Sequence, residues 1–138
     1  EMNGDLETEM TNQSNIRTKP IVFACAGCSD VGRLAYDLAR ELDRRGIAEM
    51  SCLAGVAAGK PSFLRKLKDR DVWLIDGCPI ECAEGAFLKA GQRSTRHIRL
   101  ADFGFKKNDP IQGWVNMDEL VERVTDALHV SAAGQPCA

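Results

Sequence analysis

The chain predicts an α/β fold: a small parallel sheet of four strands in the order 2-1-3-4 with helices on both faces, a flavodoxin-like or Rossmann-like arrangement. Three observations carry this. Short apolar runs alternate with stretches of helical spacing four times between residues 20 and 130. Parallel strands need a helical crossover, which goes right-handed, so units of this kind in series give one sheet covered on both sides. The first and third apolar runs are continuous, as in strands buried on both faces, whereas the second and fourth alternate with polar residues, as in edge strands.

Each element has its own signal. Ile21-Val22-Phe23-Ala24-Cys25 opens with two β-branched residues and reads as the first strand; Val31, Leu34, Ala35, Leu38 and Leu42 follow at helical spacing, with Gly46 as a C-cap. Met50-Ser51-Cys52-Leu53-Ala54 is the second strand, and Pro61 starts a short helix carrying Phe63, Leu64 and Leu67. Val72-Trp73-Leu74-Ile75 is the third strand, followed by a helix that opens at Cys78, with Pro79 at its first position, and ends at Gly91. His97 to Ala101 is the fourth strand. Leu120, Val121, Val124, Ala127 and Leu128 mark a last helix, with Asp118 as a cap and His129 at its end.

The 138 residues are 44% hydrophobic and 28% charged, the profile of one folded domain. That domain is expected over residues 20–130, between tails at 1–19 and 131–138, both poor in large apolar groups. Eighteen basic against twenty acidic side chains leave a net charge of -2, so neither nucleic acid nor an anionic membrane is an expected partner. The longest apolar stretch, Ile21 to Ala26, falls far short of the roughly 20 residues that span a bilayer. No secretory or transit pattern opens the chain, and a cytoplasmic protein is expected.

Six cysteines are the outlier. In a reducing compartment, clustered thiols hold metal or do redox work rather than form structural disulfides. Cys25 and Cys28 end the first strand, Cys52 lies in the second, and Cys78 and Cys82 open the helix after the third, so five thiols share the carboxyl edge of one sheet. A C-x-x-C turn and a pair at i, i+4 on a helix can each present two sulfurs to one ion, and four thiolates at about 2.3 Å make a closed zinc site. Both pairs fall at expected helix amino termini, which favour the thiolate. Cys52 reads equally as core filler or as a further thiol in the site, and Cys137 as incidental.

The runs Cys25-Ala26-Gly27-Cys28-Ser29-Asp30-Val31-Gly32, Cys52-Leu53-Ala54-Gly55-Val56 and Ile75-Asp76-Gly77-Cys78-Pro79-Ile80-Glu81-Cys82-Ala83, with the later Asp102-Phe103-Gly104-Phe105-Lys106, resemble the DGC domain family. These are small zinc-binding proteins named for an Asp-Gly-Cys motif, and the likeness spans roughly residues 20 to 107. The resemblance implies that four cysteines bind zinc and says little of biological role. Cys78 and Cys82 match firmly; the other two are either Cys25 with Cys28 or Cys25 with Cys52.

The alternative is an enzyme that uses the Cys25/Cys28 pair directly, in disulfide exchange or sulfur transfer. Other motifs carry less. Gly55 to Ser62 lacks the spacing and the hydroxyl of a phosphate-binding loop. His97 is expected at the amino end of its strand, away from the thiols, and so pairs with no cysteine. Asp76 and Asp102 end strands at the thiol edge, either as ligand contacts or as turn residues. Arg33, Lys60, Lys106 and Lys107 are available to offset the charge of a zinc tetrathiolate, or are simply solvated.

Overall fold

The computed structural model describes residues 19–106 and 115–134. Ile21–Ala24 (β1), Glu49–Met50 (β2), Val72–Asp76 (β3) and Arg96–Arg99 (β4) form one sheet in the order β2-β1-β3-β4. Every pairing is parallel: Ile21 lies beside both Glu49 and Val72, Leu74 beside His97, and Asp76 beside Arg99. The expected fold class and strand order are the ones the chain adopts. Among the described residues the α-helices are α1 (Asp30–Arg44), α2 (Leu53–Ala57), α3 (Pro61–Leu64), α4 (Cys82–Lys89) and α5 (Met117–Gly134), and none is long and apolar enough to cross a membrane.

Side chains of a strand alternate between faces, which divides the core in two. Val22, Ala24, Trp73 and Ile75 pack against α1 and α5. Ile21, Phe23, Val72 and Leu74 pack on the opposite face against Val56, Leu67 and Phe87, with the Phe23 and Phe87 rings edge to face at 5.0 Å. The continuous apolar runs of β1 and β3 are thus required by burial on both sides. Helix α1 opens where Ser29 Oγ accepts the Gly32 N–H at 3.2 Å and stops at Gly46, whose φ of +74° is the left-handed conformation a helix end needs.

Three boundaries differ from expectation. The second strand covers only Glu49–Met50; Cys52 caps α2 instead of lying in a strand, because the run to Ala57 buries Val56 as a turn of helix. A short apolar run fits either state, and packing decides between them. The helix after β3 starts at Cys82, not Cys78: Cys78-Pro79-Ile80 is a turn, closed by the Glu81 N–H donating to the Cys78 carbonyl at 3.3 Å. Pro79 therefore lies before the helix and not at its first position. The fourth strand ends at Arg99, and Leu100–Phe103 forms a 3-10 turn that sinks Leu100 into the core.

Helix α5 is capped by Asn116, whose side-chain oxygen accepts the Glu119 N–H at 3.2 Å; Asp118 pairs instead with Arg45 of the turn after α1. The helix continues to Gly134, so His129 lies within it, its ring edge-on to Trp73. Residues 1–18 of the expected amino-terminal tail, Lys107 and Cys137 lie outside the described residues.

Candidate functional site

Because β1 and β3 are parallel neighbours, the loops that follow them leave the sheet at one edge, beside the point where strand order reverses. Cys25 follows β1 directly and Cys28 precedes the Ser29 cap of α1; Cys52 caps α2, Cys78 lies in the turn after β3, and Cys82 is the first residue of α4. All five are free thiols. The expected pairing of Cys78 and Cys82 on one face of a helix does not occur, since Cys78 precedes the helix.

Their surroundings differ. Cys25 is 7% exposed, and its Sγ accepts the Gly77 N–H at 3.2 Å, tying the end of β1 to the loop after β3. Burial pushes the Cys25 thiol above its ordinary value; the Gly77 N–H offsets part of this, and the charges of Asp76 and Cys78 add to it. Such a thiol is poorly suited to be the activated nucleophile of disulfide exchange. Cys52 Sγ accepts the Gly55 N–H at 3.4 Å. Cys28, Cys52 and Cys82 are exposed, and Cys78 is half-buried.

A cleft of about 460 Å³ opens between the end of β1, the β2–α2 connection and α4. Cys25, Cys52 and Cys82 line it together with Tyr36 of α1, whereas Cys28 and Cys78 do not. Cys52, which read equally as core filler, is therefore a surface residue of this cleft. Among the described residues no three Cys, His, Asp or Glu side chains stand close enough together to hold one ion.

Beneath the Cys78–Cys82 turn lies Asp76, only 1% exposed. Its carboxylate accepts the Ala83 N–H at 2.7 Å and the Glu84 N–H at 3.2 Å, capping α4 from the end of the neighbouring strand. Glu81, where a cap would ordinarily sit, is instead in the left-handed region at φ 60° and makes no side-chain cap bond. Asp76 is thus the buried cap of α4 rather than one of the two roles expected for it. His97 completes the arrangement. Although it pairs with Leu74, two residues before Asp76, its ring leans along the same face and places Nε2 2.8 Å from Asp76 Oδ2. The expectation that His97 lies away from the thiol edge is corrected: it supports the loop that carries Cys78 and Cys82. No local signal in the sequence reveals this, because it depends on the register between β3 and β4.

The hydrogen bond to Asp76 holds the His97 ring above its ordinary value, against a lowering by burial, with Glu84 at 3.5 Å and Glu81 at 3.9 Å adding to the rise. The pairing contributes stability fully below the unfolded value of about 6.5, and this is lost as pH rises through the higher folded value. A histidine NMR titration is expected to place His97 above 6.5, and Glu84→Gln to lower it part-way; a midpoint at or below 6.5 would contradict the pairing.

The remaining candidates do other work. Asp102 forms a two-point bond with Arg99 at 3.1 and 3.2 Å, outside the cleft. Arg33 pairs with Asp37, Lys60 precedes α3, and Lys106 is exposed. Gly55 is small because a Cβ there would lie 2.3 Å from the Phe63 ring, a packing need and not a phosphate cradle.

The chain is 44% identical over 89 residues to the anaerobic and virulence modulator AnvM of Pseudomonas aeruginosa, covering 64% of this chain and 68% of that protein. No solved structure matches it. With this thiol-rich edge and the Asp76-Gly77-Cys78 turn at its centre, the chain matches the DGC domain profile over residues 21–128 and belongs to the DGC domain family.

Proposed function

We propose that the domain binds zinc through thiolates at the carboxyl edge of the sheet, drawn from Cys25, Cys52, Cys78 and Cys82. The observation that carries this reading is that Cys25, Cys52 and Cys82, from three separate segments, line one cleft, while the Gly77 N–H bonded to Cys25 Sγ ties in the loop that bears Cys78. The donor chemistry fits: soft sulfur ligands select zinc, and N–H groups already point at two of the sulfurs. The spacing is not a ready-made coordination sphere. Binding would therefore draw the loops together, and the ion would contribute to folding.

Between the two expected sets, lining of the cleft favours Cys52 over Cys28. The burial of Cys25, 7% exposed, closes it to an incoming disulfide and argues against the redox or sulfur-transfer alternative. A cytoplasmic location goes with this reading, since a reducing compartment keeps thiols available to zinc.

Metal analysis of untagged, anaerobically purified protein is expected to find about one zinc per chain, as for a closed tetrathiolate. Cys52→Ser and Cys82→Ser are expected to lose the metal and Cys28→Ser to keep it. A metal-free parent whose melting temperature ignores chelators would refute the reading; loss of zinc in Cys28→Ser with retention in Cys52→Ser would restore the C-x-x-C set.

A further inference from the structure

The edge of the sheet opposite the thiols carries a concentration of positive charge. Residues 60–70 hold five of the chain's eighteen basic side chains and one of its twenty acidic ones, in a chain whose net charge is -2. Basic runs of this kind are ordinarily solvated on a convex face. Here Arg65, Lys66, Lys68, Asp69 and Arg70 line a hollow of about 450 Å³, within the roughly 300–1,000 Å³ of small-molecule sites. It forms where α3 passes through the 3-10 turn Arg65–Leu67 into a tight turn at Lys68 and Asp69, closed by the Arg70 N–H donating to the Leu67 carbonyl at 3.3 Å.

Two of the four cations are held in place. Arg70, whose side chain is 12% exposed, donates to Glu49 Oε1 at 2.8 Å and to the Lys19 carbonyl at 2.7 Å, which fixes it at the amino ends of β1 and β2. Lys66 stands 3.9 Å from the same Glu49 carboxylate and 5.8 Å over the Phe63 ring. One carboxylate thus serves two cations. Among the described residues no carboxylate lies within ion-pair distance of Arg65 or Lys68, both of them exposed. With Glu49 and Asp69 set against the four cations, the hollow keeps two positive charges unbalanced. Like charges so close repel one another, and a dianion would relieve the repulsion.

We propose that this hollow binds small phosphate esters. A phosphate monoester carries close to two negative charges at neutral pH and three acceptor oxygens, which matches the unbalanced charge and the N–H donors of Arg65, Lys66 and Lys68. The held positions of Lys66 and Arg70 leave little side-chain freedom to be lost on binding. Asp69, in the same wall, opposes a second anionic group and favours hydroxyls on the remainder of the ester. A nucleic acid or an anionic membrane needs positive charge beyond this segment, and the rest of the chain has an acidic excess. The site shares no residue with the zinc reading and does not depend on it.

The test is an NMR titration of the full-length chain with glycerol 3-phosphate, followed on the backbone amides. Shifts are expected to centre on residues 65–70 and to saturate with a Kd of about 1 mM, whereas monoanionic acetate is expected to bind about tenfold more weakly. Arg65→Ala and Lys68→Ala remove exposed side chains without ion-pair partners, and each should weaken binding about fivefold at unchanged melting temperature. Asp69→Asn should tighten it about threefold, because a negative charge leaves the wall. Cys82→Ser should leave it unchanged, whatever becomes of zinc. Shifts spread over other basic surface, equal affinity for acetate, or parent-like binding by both Arg65→Ala and Lys68→Ala would overturn the proposal. So would a response to a DNA duplex or to phosphatidylglycerol vesicles with none to glycerol 3-phosphate, which would mark the segment as a surface for polyanions instead.

Discussion

Replacing Asp76 with alanine is expected to cost about 3 kcal/mol of folding stability, read as a shift of the urea midpoint at unchanged m-value. The side chain is 1% exposed and holds three partners: the Ala83 and Glu84 N–H groups at the start of α4 and the His97 ring. Truncation strands the buried Ala83 N–H and leaves the half-buried Glu84 N–H and His97 nitrogen without their partner, and a lost partner away from water costs more than an intact bond contributes. A loss of this size is a large share of the roughly 5–15 kcal/mol that holds a domain folded. Asp76→Asn is expected to fall between, since it keeps an acceptor for α4 but gives up the charge that His97 faces. A stability change below about 1 kcal/mol for Asp76→Ala, the size of one exposed cap, would show that α4 does not depend on this carboxylate.

Gly77→Ala is expected to destabilise the fold by about 2 kcal/mol, in the range of overpacked cores, and to open the thiol edge. A Cβ at Gly77 would stand 2.3 Å from the carbonyl oxygen of Val31 and 2.7 Å from the Gly32 nitrogen, both in the first turn of α1. These are backbone atoms with no rotamer to yield, so the loop after β3 must move away from α1. That movement breaks the hydrogen bond from the Gly77 N–H to Cys25 Sγ. Cys25, buried in the parent, should then be alkylated by a thiol reagent under native conditions. A variant as stable as the parent, with Cys25 still protected, would mean that the loop has room to shift without consequence.

The two substitutions give the Asp-Gly-Cys run a physical meaning. Asp76 closes the end of a helix six residues further along, Gly77 lets the loop pass against α1, and Cys78 follows at the edge where the thiols gather. Turn chemistry was one of two readings available for Asp76, and the structure shows a third, a cap delivered across the loop.

The sheet and its thiol edge are legible in the residues alone. Unbroken apolar runs at β1 and β3 place both strands inside, and parallel pairing carries Cys25, Cys52, Cys78 and Cys82 to one side; the alternation read at residues 50–54 sent the second strand to the rim, although that strand covers only Glu49–Met50. Such patterns are legible because burial on two faces constrains every residue of a strand. Gly46 was equally legible, since a cap is written within a few residues of the helix it ends; the Ser29 cap at the other end of α1 was not read in advance. Packing in three dimensions was needed to show that Cys52 caps a helix rather than fills a strand, that α4 starts at Cys82, and that His97 reaches Asp76. Each of these depends on a partner far along the chain: Val56 against the face of β1 and β3, Asp76 beneath α4, and the register of β4 on β3. Short-range periodicity carries no information about such partners, and for that reason the identities of the thiols could be read in advance while their surroundings could not.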